Sequence, residues 1–134
     1  MEGIEEIIIK SCNRVYETLG FGLMETTYEK ALKVELQSRY IPCDNEVYVN
    51  LDYQDINGEK HFLTSLRIDI LIKKPRIILE LKTIKGELKK KDKEYYQVKR
   101  YGKLMGIDNL YLVNFGLSKL EIYRCNGDEF EMLV

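Results

Sequence analysis

The chain has 134 residues, of which 45% are hydrophobic and 32% charged, and its formal net charge is -1. This length and apolar content predict one domain, residues 1–134, built around one hydrophobic core. The near-neutral charge predicts neither a basic nucleic-acid-binding chain nor an acidic tail. Basic residues are nevertheless concentrated in residues 82–103, where nine Lys and Arg stand against three Asp and Glu, a local balance of +6.

The three cysteines, Cys12, Cys43 and Cys125, lie far apart and lack CxxC or CxxH spacing. This arrangement argues against a disulfide framework or a zinc knuckle, and we expect reduced, packed thiols. The N-terminus lacks the pattern of a signal peptide, and no stretch approaches the ~20 apolar residues of a membrane span. We therefore expect a cytoplasmic protein that does not enter the membrane.

The first forty residues predict two helices. Apolar residues from Ile4 to Leu19 recur with helical spacing, and Gly20 to Gly22 end the stripe. A second apolar stripe starts at Met24 and should end near Tyr40, because Pro42 disfavours helix at the residue before it.

Three strands follow in the sequence. From Glu46 to Tyr53 apolar and polar residues alternate, and Asn57-Gly58 provides a turn. A second strand from about His61 to Ile72 reaches a turn at residues 73–76. A third strand then covers residues 77–82.

The remaining chain predicts a Lys-rich helix from Leu88 to Met105, a buried strand from Asn109 to Phe115 and a short strand from Leu120 to Cys125. The order is ααβββαββ. The strand, helix and strand after residue 77 indicate a right-handed parallel crossover, whereas the first three strands have hairpin-length connections. These features predict a mixed α/β (α+β) fold with a central mixed sheet of four to five strands flanked by helices.

The turn between the second and third strands fixes a register. If it is centred between Lys74 and Pro75, opposed residues sum to 149, and Asp69 lies opposite Glu80 while Arg67 lies opposite Lys82. The other face is expected to be aliphatic, with the pairs Ile72 and Ile77, Ile70 and Leu79, and Ile68 and Leu81.

The expected Asp69 and Glu80 pair is chemically suggestive. Like charges opposed across strands are unfavourable unless a cation compensates them. Mg²⁺ prefers hard oxygen ligands, whereas the lone His61 argues against a His-rich zinc site. Lys82 shares the face of Glu80 and could orient a water or stabilise developing charge on phosphorus. A solvated ion network on the sheet surface is the alternative interpretation.

These residues resemble a known family. Asp69, ten further residues and then Glu80-Leu81-Lys82 resemble the D…ExK signature of the PD-(D/E)XK nuclease superfamily, whose restriction-endonuclease-like core has the predicted element order. The segment from Gly22 to Tyr28 resembles the name-giving motif of the GxxExxY proteins, a branch of those nucleases. The resemblance spans roughly residues 3–125 and continues through residues 67–71, 78–82, 97–101 and 112–116.

The resemblance implies a role for each matching residue. It implies Asp69 and Glu80 as metal ligands and Lys82 as the catalytic lysine. Glu25 would be a helix-borne acid near the metal, and hence a third ligand and catalytic residue. The implied substrate-binding residues are Gln97 and Tyr101, which form a QxxxY element, together with Tyr28 and Lys85.

Spacing agrees in part with these implied roles. Glu25 and Tyr28 are three residues apart, and Gln97 and Tyr101 four apart, so each pair shares a helical face. Ile68 stands where the superfamily motif often has a proline. The Lys89-Lys90-Lys91 run is either a solvated helix face or a phosphate-steering element beside the site.

Two functions remain open at this level. The first is a nuclease that hydrolyses DNA or RNA with Mg²⁺, or Mn²⁺ in its place. The alternative is a catalytically inactive nuclease-fold module that binds nucleic acid or protein. A homodimer or a partner protein would be expected to help in either case, because 134 residues leave little surface for gripping a duplex.

Overall fold

The computed structural model describes residues 2–89, 92–116 and 119–134. It contains three helices and six strands within these ranges. Their bounds are α1 Ile4–Leu19, α2 Glu25–Ser38, β1 Cys43–Gln54, β2 Lys60–Lys73, β3 Arg76–Lys82, α3 Lys93–Met105, β4 Leu110–Asn114, β5 Glu121–Arg124 and β6 Glu131–Met132.

The strands form one mixed sheet in the order β1-β2-β3-β4-β5-β6. β3 and β4 are parallel, as the crossover through α3 predicts, and the other neighbours are antiparallel. The mixed α/β class is therefore confirmed. The sheet has one strand more than predicted, because β6 is a two-residue edge strand and is too short to show a period in the sequence.

Helices cover both faces of the sheet. α1 and α2 pack on one face over a core that includes Ile8, Cys12, Leu32, Leu36, Ile70, Ile72 and Leu79. α3 packs on the other face over a second core that includes Ile68, Ile78, Tyr95, Val98, Tyr101 and Leu112. All three cysteines are buried free thiols, as predicted. No helix in the described part of the chain is long and apolar enough to cross a membrane.

Two element boundaries differ from the prediction by three residues or more. β1 begins at Cys43 instead of Glu46. α3 begins at Lys93 instead of Leu88: Asp92, the residue before the helix, has an extended backbone, and its carboxylate accepts a hydrogen bond from the Lys89 N–H at 2.9 Å. Lys90 and Lys91 of the basic run lie outside the described residues.

The predicted register of β2 against β3 is confirmed where the strands pair. Ile70 opposes Leu79, Leu71 opposes Ile78 and Ile72 opposes Ile77. Towards the site the ladder ends at the pair Ile70 and Leu79, so the strands diverge at the next residues, Asp69 and Glu80.

The predicted position of Ile68 is wrong. Ile68 packs in the α3-side core together with Leu71, whereas Ile70 packs in the opposite core. The alternation is therefore broken at Asp69. The neighbouring strand is irregular at the same level, because Glu46 has a φ of 55° and falls between the pairs Asn45 with Ile70 and Val47 with Ile68. A local irregularity of this kind turns the strand and changes which face its side chains occupy.

Candidate active site

Asp69 and Glu80 lie at the point where β2 and β3 separate. The Leu81 N–H donates to Oδ2 of Asp69 at 2.8 Å, and the Asp69 N–H donates to Oε1 of Glu80 at 3.3 Å. Each carboxylate thus accepts a backbone hydrogen bond that the diverging strands no longer make with each other. These bonds hold the two carboxylates side by side, as the sequence predicts from register.

Both carboxylates are shielded from solvent, since the side chain of Glu80 is 3% exposed and that of Asp69 13%. Burial raises the pKa of Glu80 well above its usual range, and the charge of Asp69 raises it further. Burial also raises the pKa of Asp69, against the opposing effect of the Leu81 hydrogen bond. The pair is therefore poorly compensated when both groups are ionised.

Two cations face this pair. The Lys82 ammonium lies 3.7 Å from Oε2 of Glu80, and the Arg67 guanidinium donates to Oδ1 of Asp69 at 2.6 Å. Lys82 is mostly buried, with 16% of its side chain exposed. The predicted grouping of Asp69, Glu80 and Lys82 is thus present in the structure, and Arg67 joins it.

Helix α2 contributes an acid that the sequence did not single out. Glu29 is buried and accepts from Arg67 at 2.8 Å, while its Oε1 has no hydrogen-bond partner among the described residues. Glu25, one helical turn earlier, is exposed, and the Thr83 hydroxyl lies 3.5 Å from its Oε2. The i, i+4 spacing of Glu25 and Glu29 was the available signal, because it places both acids on one side of the helix.

Helix α3 contributes a buried tyrosine near the pair. The Gln97 amide donates to the Tyr101 hydroxyl at 2.7 Å, so the QxxxY residues contact each other. Burial raises the pKa of Tyr101 to about 12, and the negative charge of Glu80 is the next cause. Tyr101 therefore lies within electrostatic reach of Glu80.

Tyr28 has a different environment from the one expected of a substrate-binding residue. Its side chain is fully buried and stacks on Phe115 with ring centroids 4.4 Å apart. Its hydroxyl donates to the Gly20 carbonyl at 2.6 Å and accepts from the Leu23 N–H at 3.2 Å. Tyr28 thus fastens the connection between α1 and α2 and has no exposed surface to offer a ligand. Lys85, by contrast, is exposed in the segment after β3.

Asn114 anchors the backbone that follows Lys82. Its buried side chain accepts from the N–H groups of Ile84 and Gly116 at 3.0 Å and donates to the Ile84 carbonyl at 3.0 Å. The Phe115 N–H also donates to the Lys82 carbonyl at 2.8 Å. The sequence contained Asn114 within a matching segment but gave no reason to assign this clamp, which depends on the parallel pairing of β3 and β4.

A second group of potential ligands lies in the turn between β1 and β2. One ligand atom each from Asp55, Glu59 and His61 falls within 4.8 Å of the others. Nε2 of His61 lies 2.7 Å from Oδ2 of Asp55, and Oδ1 of Asp55 accepts hydrogen bonds from the N–H groups of Asn57 and Glu59. These bonds account for the cluster as a hydrogen-bonded turn, so we assign no ion there.

The Asp69 and Glu80 site fits a hard divalent cation. Both donors are carboxylates with raised pKa values, Glu80 is buried and Asp69 largely shielded, and Glu29, whose Oε1 has no hydrogen-bond partner among the described residues, adds the charge of a third carboxylate near Asp69. Mg²⁺ and Mn²⁺ accept oxygen ligands of this kind.

The raised pKa values predict a pH effect on stability. Below the ordinary values of 3.8 for Asp69 and 4.5 for Glu80, both folded and unfolded chains hold the protons. As the pH rises, the unfolded chain releases these protons at lower pH than the folded chain does. The stability that the protein has while both groups are protonated is therefore lost as the pH rises through the raised folded pKa values. Glu80→Gln is therefore expected to be more stable than the metal-free wild type at alkaline pH, with the difference shrinking towards pH ~4.

Urea denaturation of the metal-free wild type and Glu80→Gln across this pH range measures that difference. Added Mg²⁺ should reduce it at alkaline pH by stabilising only the wild type. A stability difference that does not change with pH would contradict the assignment of a poorly compensated pair.

Comparisons with known proteins show the family to which the chain belongs. A family model described as the PD-(D/E)XK nuclease superfamily matches residues 2–125. The crystal structure of SSO0001 superposes with a TM-score of 0.57 at 15% identity, covering 93% of this chain and 78% of that chain, a likeness that concerns the fold alone. A search of curated proteins found no match. With the family model covering most of the sequence, the chain belongs to the PD-(D/E)XK nuclease superfamily.

Proposed function

We propose that the protein is a divalent-metal-dependent nuclease that hydrolyses phosphodiester bonds of DNA or RNA. Asp69 and Glu80 would hold Mg²⁺, with Mn²⁺ as a substitute. The observation that carries this proposal is the pair of buried carboxylates held side by side at the strand divergence, with Lys82 at 3.7 Å from Glu80. Membership of a nuclease superfamily supports the same reaction class.

A bound divalent ion would supply Lewis-acid polarisation of a phosphate oxygen and lower the pKa of a water. The protein's own residues orient and compensate charge. Lys82 places a positive charge beside Glu80, where it would stabilise negative charge developing on the phosphate. On α3 the Gln97 amide donates to the Tyr101 hydroxyl, and this pair is assigned to the substrate. Lys85 is exposed and follows Lys82 closely in the sequence, and we assign it the role of binding the substrate.

We also propose that the chain is a member of the GxxExxY branch. Two features of the segment from Gly22 to Tyr28 support this assignment. Tyr28 fastens the segment to the core through the Gly20 carbonyl, and Glu25 begins helix α2 close to Thr83, next to Lys82. Glu25 is thereby assigned to the rim of the site as an additional acid and metal ligand.

Incubating the purified protein with labelled single-stranded and duplex DNA and RNA tests the proposed activity. Cleavage should require Mg²⁺ or Mn²⁺ and should stop when EDTA is added. Cleavage that continues at the same rate in EDTA would refute metal dependence.

A second candidate function is nucleic-acid binding without turnover, and one further observation supports nucleic-acid binding. A surface groove of about 940 Å³ lies along α3 and is lined by Lys99, Arg100 and Lys103. Tyr96, which is 58% exposed, lines the same groove, and Leu51 of β1 lies across from the helix. Cations beside an exposed aromatic ring suit a nucleic-acid backbone with a stacked base.

Replacing Lys99, Arg100 and Lys103 together by alanine is expected to weaken nucleic-acid binding by roughly tenfold or more at low salt. The magnitude of the slope of log affinity against log salt should fall by about two to three, because binding releases fewer counterions when three phosphate contacts are lost. Fluorescence anisotropy in EDTA measures both quantities without cleavage.

The matched control replaces three exposed cations elsewhere, Arg14, Lys30 and Arg76, and removes the same charge. An equal loss in the control would show that only total charge matters and would remove the groove assignment. Retained binding in EDTA without any cleavage in Mg²⁺ would favour the binding module over the nuclease.

A further inference from the structure

The guanidinium of Arg67 lies among three carboxylates from three different elements. It is 2.6 Å from Asp69 on β2, 2.8 Å from Glu29 on α2 and 3.6 Å from Glu46 on β1. Three carboxylates around one centre are an arrangement that also suits a divalent cation. In this protein the centre is occupied by a side chain.

The surroundings indicate that this centre requires a positive charge. Glu29 is 2% exposed, and a buried carboxylate without a cation would be strongly destabilising. Glu46, whose carboxylate reaches the centre, has a φ of 55°. This left-handed conformation is uncommon for non-glycine residues and often marks a functional site. The fold therefore brings acids from separate elements to one cation.

A charge count over the carboxylates that Arg67 and Lys82 contact, which leaves out the exposed Glu25 at the rim, limits how many ions this part of the site can hold. The four carboxylates of Glu29, Glu46, Asp69 and Glu80 give -4 when ionised, and Arg67 with Lys82 gives +2, so the sum is -2. One divalent ion at Asp69 and Glu80 brings this sum to zero. A second divalent ion would leave an excess of +2 in a partly buried site, which is unfavourable.

We propose that Arg67 occupies the position of a second metal ion, so that each chain binds a single divalent ion, at Asp69 and Glu80. This proposal rests on the metal site of the proposed function and adds its stoichiometry. Glu29 and Glu46 hold the fixed cation in place. Removing Arg67 would convert its carboxylate cage into a second divalent-ion site.

Titration with Mn²⁺, followed by calorimetry and by electron paramagnetic resonance of the free ion, tests the proposal without any substrate. The wild type is expected to bind one ion per chain and Arg67→Met two, a twofold increase. The double variant Arg67→Met with Glu29→Gln should return to one, because the second site then lacks its buried ligand. Arg67→Lys should also bind one, since it keeps the positive charge.

Arg124 provides a matched control. Its guanidinium also meets three carboxylates, those of Glu5, Glu129 and Glu131, at 3.0, 3.7 and 3.6 Å. These acids are more exposed than Glu29 and are not part of the Asp69 and Glu80 site. Arg124→Met should therefore leave the number of bound ions unchanged.

The outcomes separate this proposal from the proposed function. Two ions on the wild type, or one ion on a folded Arg67→Met variant, would overturn the role of Arg67 and leave the nuclease proposal standing. No ion on the wild type would overturn the metal site and the stoichiometry together. Circular dichroism establishes folding, and if Arg67→Met does not fold, Arg67→Gln, which also removes the charge but keeps a hydrogen-bond donor for the carboxylates, takes its place with the same expected count of two ions.

Discussion

Replacing Asp69 by asparagine is expected to reduce the rate of metal-dependent cleavage about a thousandfold or more. Loss of a ligand removes several kcal/mol of metal-derived stabilisation of the transition state, and ~4 kcal/mol corresponds to about a thousandfold. Glu80→Gln should have a similar effect. Single-turnover cleavage of a labelled nucleic acid at saturating protein measures the chemical step.

These substitutions are expected to leave the fold intact. Glu80→Gln keeps an oxygen that can accept the Asp69 N–H and removes the repulsion between the two carboxylates, so it should be at least as stable as the metal-free wild type in urea denaturation. In Asp69→Asn the amide oxygen can still accept the Leu81 N–H, but the NH2 group then faces the Arg67 guanidinium, so urea denaturation is used to establish that this variant is folded under the assay conditions. The loss of cleavage can then be assigned to chemistry instead of unfolding.

Asp52→Asn is the matched control, because Asp52 is an exposed residue of β1 and receives the same change of one charge. It should cleave at the wild-type rate. Wild-type cleavage by both Asp69→Asn and Glu80→Gln would refute this active site. Equal loss in Asp52→Asn would indicate a general effect of charge on substrate binding.

Replacing Gly116 by alanine is expected to lower the free energy of unfolding by more than about 3 kcal/mol, at the upper end of overpacking effects. A Cβ at this position would lie 2.3 Å from the Ile84 nitrogen and 2.3 Å from the Thr83 carbonyl carbon. Both are backbone atoms, so no side-chain rotation can relieve the contact. The backbone after Lys82 would have to move away from β4.

Gly3→Ala is the control for this substitution, since a Cβ there meets nothing within 4 Å. Its urea midpoint should match that of the wild type. Gly116→Ala should also lose cleavage activity at concentrations of urea where the control remains active, because Asn114 and Gly116 hold the segment after Lys82. Equal stability of the two alanine variants would contradict the close packing described for Gly116.

The sequence determined the element order and the local geometry of β2 and β3. The short turn between the two strands leaves few registers, and the predicted register holds over the pairs from Ile70 with Leu79 to Ile72 with Ile77. Extending that register by one residue predicts Asp69 beside Glu80, although the ladder itself ends before them. The spacing of Gln97 and Tyr101 on one helix likewise sufficed to predict that they lie together, since helical neighbours are set by local geometry.

The sequence predicted Arg67 on the face of Asp69 and Glu80, but only the tertiary structure decided which acids from other elements meet it there. Arg67, Glu29 and Glu46 come from β2, α2 and β1, and their contacts depend on how these elements pack and on the irregular backbone at Glu46. The same irregularity moved Ile68 to the opposite core, and packing against Phe115 turned Tyr28 inward. Periodicity records which side of its own element a residue occupies, whereas the meeting of side chains from separate elements is fixed when those elements pack together.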